Sequence, residues 1–363
     1  MKTPFYFAVF IFAAAAIALA AGGVTSSAQT AAGTQPSPTP TPSPKPTIDV
    51  FADTGPITVE TELVNLNVRV IDRNNKPVNN LTEKDFKIFE DGVPQQIDFF
   101  SKSLIPTNYA LVLDNSGSLR SQLEKVIEAG KVLVATNTPE DETAIIRFVG
   151  RDKISIEQDF TANKDDLNAE LDNLYIEGGQ TAIIDAVYLA VENVDQYEKS
   201  TSAADRKRRA IVLVTDGEDR DSYFTEKQLF DQLRESETQI YVIGFVDDLS
   251  KEGGFIGKSP QAKAKAFLQR MAEETGGKAY FPSSTAELNG IAKDIASELR
   301  TQFSIGYLPS NDRKDGTYRN IRVLVADGPN KEKRIAITRT GRVADNDDLK
   351  PGKTPAPTPP KKQ

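Results

Sequence analysis

The sequence predicts an α/β fold, a doubly wound and mostly parallel sheet covered by helices, flanked by a β-sandwich built from the N- and C-terminal segments. Three observations carry this expectation. Between residues 107 and 302, short apolar runs alternate with helical segments, the pattern of parallel strands joined by crossover helices. On either side lie stretches with strand periodicity, about 48–104 and 303–342. Neither stretch is long enough to bury a stable core alone, so the two are expected to pair into one sandwich around the inserted α/β region.

The chain opens with a segment, Met1 to about Ala28, that reads as a secretory signal peptide. Lys2 is its only charge, Phe5 to Ala21 is apolar, and Ser26-Ser27-Ala28 offers a small-residue cleavage site, with a second option near Ala20. An uncleaved anchor is the other reading, because the apolar run is long for a leader and short for a span. Residues 29–47 form a Pro/Thr/Ser-rich linker, expected to be an extended spacer. Residues 343–363 form a Pro/Lys-rich tail, expected to be disordered and solvated.

In the first β-rich block, Val64, Leu66, Val68 and Val70 alternate with Asn65, Asn67, Arg69 and Ile71, mostly a half-buried strand pattern. Asn74-Asn75-Lys76-Pro77 is a turn, and Thr82-Glu83-Lys84-Asp85 has the form of a capping box. Asp91-Gly92 is a hairpin signal. It is expected to turn Phe86-Lys87-Ile88-Phe89 into a second strand that ends near Phe99-Phe100.

In the middle block, strands are expected at 109–113, 144–148, 210–214, 240–244 and 278–281, with helices near 119–136, 164–174, 182–197, 225–236, 260–275 and 285–302. Ile183, Val187, Ala190, Val191 and Val194 recur at helical spacing, a stripe facing the core. Thr275-Gly276-Gly277 stops the helix before it as a C-cap does. The last block holds strands at 302–308, 319–326 and 333–339, with Asp327-Gly328-Pro329-Asn330 as the hairpin turn between the last two.

Composition narrows the chemistry. The chain has no His and no Cys in 363 residues, which excludes His- and Cys-ligated zinc, thiol nucleophiles, disulfides and any Ser-His-Asp triad. Carboxylates, hydroxyls, amides and carbonyls remain. The formal net charge of −8 argues against nucleic acid as a partner, since phosphate binding needs a concentrated basic surface.

Three strand-tip loops then stand out. The buried run Tyr109 to Leu113 ends in Asp114-Asn115-Ser116-Gly117-Ser118, where one carboxylate and two hydroxyls recur at every second residue. All three are hard oxygen donors of the kind Mg²⁺ or Mn²⁺ selects. Glu177-Gly178-Gly179-Gln180-Thr181 is a Gly-rich loop that delivers Thr181 at a helix start, and Val212-Leu213-Val214-Thr215-Asp216-Gly217 delivers Asp216 at a strand tip. Singly, these read as a loop, an N-cap threonine and a turn. Together they fall beyond the carboxyl ends of the strands, where open α/β sheets bind ligands.

Asp114-x-Ser116-x-Ser118, Thr181 after paired glycines, and Asp216 in Thr-Asp-Gly resemble, in order and spacing, the metal-ion-dependent adhesion site of a von Willebrand factor type A domain. Met271 to Phe281 is similar to that family's late helix and last strand. With the flanks Asn67 to Arg69, Leu81 to Gly92 and Ser304 to Pro309, the resemblance extends to bacterial secreted proteins related to this family, over about 58–342.

The resemblance implies a Rossmann-like fold for 107–302. It also implies a metal site in which Ser116, Ser118 and Thr181 ligate Mg²⁺ directly, while Asp114 and Asp216 hold its waters or bind by an oxygen. Mg²⁺ keeps waters and demands octahedral geometry, so one position stays open toward solvent. An Asp or Glu carboxylate from a protein partner can fill it. The expectation is an exported adhesion or protein-interaction module without catalytic residues and with no stable membrane span once the signal is cleaved. A scaffold subunit of a cell-envelope complex with a structural metal is the alternative. An oxygen-ligand metallohydrolase using Glu218 or Asp219 as base is the third reading.

Overall fold

The computed structural model describes residues 63–102, 105–199, 207–252 and 258–345. The leader, the linker and the tail beyond 345 lie outside these residues. Four strands come first: β1 (Val64–Asp72), β2 (Phe86–Glu90), β3 (Val93–Gln95) and β4 (Phe99–Ser101). The α/β region follows with β5 (Thr107–Asp114), α1 (Leu123–Ala135), β6 (Glu142–Phe148), β7 (Ile154–Thr161), α2 (Lys164–Asp172) and α3 (Ile183–Lys199). It continues through β8 (Arg208–Thr215), α4 (Glu226–Glu235), β9 (Gln239–Gly244), α5 (Pro260–Thr275), β10 (Ala279–Tyr280) and α6 (Leu288–Arg300). The chain then returns to strands with β11 (Phe303–Tyr307), β12 (Tyr318–Val325), β13 (Arg334–Ile337) and β14 (Gly341–Val343).

The central sheet has the order β10-β9-β8-β5-β6-β7. Every pairing is parallel except that of β7, which closes one edge antiparallel to β6 through two register shifts. β5 is buried along its whole length, which explains its unbroken apolar character, because a strand covered on both faces has no solvent side to alternate toward. One face packs on α3, α4 and α5, where the stripe Ile183, Val187, Ala190, Val191 and Val194 is fully buried. The other packs on α1, α2 and α6 through Val126, Leu133, Leu167, Leu171 and Ile295. The fold class is therefore α/β and doubly wound. The C-cap expected at Gly276 is present: its φ is 78°, and the Gly277 amide donates to the Ala272 carbonyl at 2.9 Å.

Two antiparallel sheets flank this region, with the orders β13-β1-β11-β4 and β14-β12-β2-β3. Each sheet takes strands from both ends of the chain, so neither end can complete a sheet without the other. Val64, Leu66, Val68, Ile88, Ile305 and Tyr307 line the shared core. The rings of Phe86, Phe100 and Phe303 meet there at centroid distances of 5.2–5.8 Å, adding edge and stacking contacts to the buried area.

Four local expectations are corrected. The strand after Asp91-Gly92 does not run to Phe100: the hairpin forms, with φ of 48° and 81° at its tip, but β3 pairs with β2 while β4 crosses to β11 in the other sheet. The turn at Asp327–Asn330 closes on itself, the Gly328 amide donating to Glu332 O at 2.7 Å. It does not join a hairpin, because β12 pairs with β2 and β14 whereas β13 pairs with β1. Helix α1 starts later than 119, since Gly117–Leu119 is a 3₁₀ turn. Arg69, read as the outward side of β1, is buried against Glu298 of α6; the helix covers the face that the alternation suggested was solvated.

Candidate metal centre

β5 and β8 lie side by side in register, with Leu113 opposite Val214. The next residues, Asp114 and Thr215, are therefore level at the carboxyl edge. Thr215 donates its Oγ1–H to Asp114 Oδ2 at 2.7 Å, and the Ser116 amide donates to Asp114 Oδ1 at 2.9 Å. The chain then turns so that Ser116 Oγ and Ser118 Oγ stand 2.9 Å apart. Asp114 and Ser116 are buried, and Ser118 is exposed. The expected trio thus forms one hydrogen-bonded group that runs from a dry floor to an open rim.

Asp216 follows Thr215 and is buried; its Oδ1 accepts from the Glu218 amide at 3.0 Å. The loop can make this turn because residue 217 is glycine. Its φ is +87°, and a Cβ there would lie 2.9 Å from Leu268 and 3.0 Å from Ala264 of α5. Thr181 is buried just ahead of α3. Its carbonyl accepts from the Arg220 and Asp221 amides at 2.8 and 3.1 Å, which joins the Thr181 loop to the Asp216 loop. Gly179 lets that loop pass close to the end of β6, since a Cβ there would fall 2.5 Å from Val149 Cγ1.

Several residues that hold this arrangement were not singled out from sequence. Asn115 is fully buried and ties three segments together: its amide donates to Phe148 O at 2.9 Å, its carbonyl accepts from Glu177 N at 2.8 Å, and its Nδ2 donates to Tyr175 O at 2.6 Å. Asp185, buried on the first turn of α3, accepts from the Tyr223 and Phe224 amides at 2.8 and 2.9 Å. A carboxylate within the otherwise apolar first half of α3, Ile183 to Val191, was the available signal for it. Asp219 accepts from the Ile184 amide at 3.1 Å and from Ser222 Oγ at 2.5 Å, so it caps the start of α3. Glu218 pairs with Arg220. Both carboxylates are thus engaged within the protein.

The donor set suits a hard divalent cation. Burial pushes the Asp114 carboxyl up to about 6, with the nearby Asp216 adding to the rise against the hydrogen bonds from Ser116 and Thr215. Among the described residues no Lys or Arg forms an ion pair with Asp114, Asp185 or Asp216, although all three are buried. Buried carboxylates without a cation are costly unless another positive charge is supplied. Hydroxyls at 2.9 Å, two buried carboxylates and an open rim are what a bound cation would use.

A family model described as the von Willebrand factor type A domain matches residues 108–294, just over half of the chain. The chain belongs to the von Willebrand factor type A domain family. Domains of this family are typically protein-interaction or adhesion modules, generally without enzymatic activity, and commonly hold a divalent metal at the metal-ion-dependent adhesion site. Among curated relatives, the chain is 26% identical over 235 residues to inter-alpha-trypsin inhibitor heavy chain H4 of Bos taurus, covering 62% of this chain and 24% of that protein. It is 36% identical over 115 residues to an uncharacterized protein of Synechocystis, covering 31% of this chain and 26% of the relative. The chain therefore spans about a quarter of the length of these relatives. A solved von Willebrand factor type A structure from Catenulispora acidiphila is similar at 13% identity with a TM-score of 0.43, over 73% of this chain and 74% of that one. Among the described residues no helix is long and apolar enough to cross a membrane.

Proposed function

We propose that this von Willebrand factor type A protein is an exported interaction module that captures a partner's Asp or Glu carboxylate at a cation held by Ser116, Ser118 and Thr181, with Asp114 and Asp216 behind them. Mg²⁺ or Mn²⁺ is the proposed ion, since every donor is a hard oxygen and the chain holds neither His nor Cys. The bound ion supplies positive charge and one exchangeable coordination position. The protein's residues do the rest. Asp114 and Asp216 place negative charge below the hydroxyls, and Thr215 and the Ser116 amide fix the Asp114 carboxylate. Ser118 sits exposed where a partner oxygen would approach.

The observation that carries this reading is the buried Asp114 carboxylate, 3% exposed and without a Lys or Arg partner among the described residues. Export rests on the N-terminal apolar segment, and the order of leader, linker, N-terminal β segment, type A domain and C-terminal β segment is proposed with it. An Mg²⁺-dependent pull-down against envelope and extracellular proteins tests the function. Capture should disappear in EDTA and in Ser116→Ala or Thr181→Ala. Capture that survives EDTA would point to metal-independent contacts and overturn the proposal.

A further inference from the structure

Two exposed tyrosines flank the candidate metal centre, and we infer that Tyr175 and Tyr223 read the partner's residues on either side of its carboxylate. The inference rests on the carboxylate-capture reading and extends it from the ion to the rim. Tyr175 is 54% exposed and Tyr223 58%. Rings of this kind, rigid and amphipathic, concentrate binding energy at protein interfaces.

Neither ring is loosely held. Tyr175 is tied by its carbonyl to Asn115, the buried residue between Asp114 and Ser116. Its ring is backed by the Arg147 guanidinium at 4.8 Å from the centroid. Arg147 is itself clamped by Glu157 and Glu177, both at 2.9 Å, and the Glu177 amide returns to the Asn115 carbonyl. Tyr223 is tied by its amide to Asp185, on the helix that Thr181 precedes. Its ring meets Phe224 edge-on at 5.5 Å, and Phe224 stacks on Tyr188 at 3.9 Å. Each post is thus anchored to a buried polar side chain beside a residue of the site. One stands toward β6 and the other on the loop after β8. Preorganised rings lose little freedom on binding.

The rim also indicates the partner's chemistry. Arg147, Arg151, Lys153 and Arg220 are each already paired with a carboxylate, on Glu157 and Glu177, Asp221, Glu177 and Glu218 respectively. These four cations are neutralised, whereas Arg120, exposed two residues after Ser118, forms no ion pair among the described residues. The two tyrosine faces, on the β6 side and on the loop after β8, fit an exposed polypeptide segment whose Asp or Glu has an apolar side chain next to each of them.

A displayed library of short peptides with a fixed central Asp, panned in Mg²⁺ over the full chain and eluted with EDTA, tests this. The wild type should enrich apolar residues beside the Asp. Tyr175→Ala and Tyr223→Ala should keep the Asp requirement and the Mg²⁺ dependence of thermal melting. Each should lose the preference on its own side and about tenfold in affinity for the best peptide, the effect of removing one interface anchor, whereas Tyr→Phe should retain most of it. Unchanged affinity and unchanged flanking preference in both alanine variants would overturn the inference while leaving carboxylate capture standing. Absence of any EDTA-sensitive enrichment of Asp over a matched Asn library would overturn carboxylate capture, and the rim inference with it.

Discussion

The carboxyl edge of the central sheet and the rest of the interior treat buried acids in opposite ways. Away from the edge, Glu298 is buried against Arg69 and Lys278, Glu90 against Arg342 at 3.0 Å and the Tyr307 hydroxyl at 2.6 Å, and Asp141 against Arg300 at 3.0 Å. At the edge, Asp114, Asp185 and Asp216 are as deeply buried and are held only by hydroxyls and amides. Among the described residues, each buried acid elsewhere has a cation at ion-pair distance, and these three have none, although Arg151 lies near enough to feel the Asp185 charge. That difference makes the edge the place where a bound cation is proposed.

The comparison predicts a descending series of stability effects. Arg69→Met should be the most damaging, because it leaves Glu298 buried beside β1 with only Lys278 to balance it. Removing one partner of a buried pair costs about 3–5 kcal/mol, and Lys278 should keep this loss toward the lower figure in urea unfolding. A loss below about 1 kcal/mol would mean that the seam between α6 and the sandwich is not an obligatory pair.

Asp141→Asn should follow, at about 1–3 kcal/mol, since Asp141 accepts from the Thr107 and Thr138 amides at 2.8 and 2.7 Å as well as from Arg300. Burial alone would raise its carboxyl, but those donors outweigh it and hold the group below the usual carboxylate range. A group whose folded value is depressed stabilises the protein above the unfolded value and loses that contribution as pH falls through the folded one. Acid unfolding of the wild type should therefore show a component below about pH 4 that is missing in Asp141→Asn.

Ser118→Ala should change stability least, within about 0.5 kcal/mol, because the side chain is exposed. Its effect should instead be seen in weaker Mg²⁺ binding by calorimetry. A variant that binds Mg²⁺ as the wild type does would remove Ser118 from the ligand set.

What was legible in the sequence follows the range of the interactions involved. Asp114, Ser116 and Ser118 could be read together because their relation is local, a strand end and a turn within five residues. The alternation of apolar runs and helices likewise exposed the doubly wound sheet, since two-sided burial is written in each strand separately. Thr215 and Asn115 stood within the quoted segments without an assigned role. Thr215 matters because β8 lies beside β5, and Asn115 because its side chain reaches Tyr175. Asp327 to Asn330 shows the same limit from the other side. Its turn chemistry is as read, with Asn330 at φ 58°, but which sheet each flanking strand joins is decided by partners far away in the chain. β7 escaped notice because its residues are half-exposed on both faces and so lack a clear period.

Whether the acids at the carboxyl edge await a cation is decided by thermal unfolding of wild type and Asp114→Asn with and without Mg²⁺. In EDTA, Asp114→Asn should be at least as stable as the wild type, because it removes a buried charge and the Thr215 hydroxyl can turn to suit the amide. Saturating Mg²⁺ should then stabilise the wild type by about 3 kcal/mol at a hundredfold excess over its dissociation constant and leave the variant where it was. A wild type indifferent to Mg²⁺ and Mn²⁺, together with an Asp114→Asn protein destabilised in EDTA, would mean that the edge holds its acids without a cation.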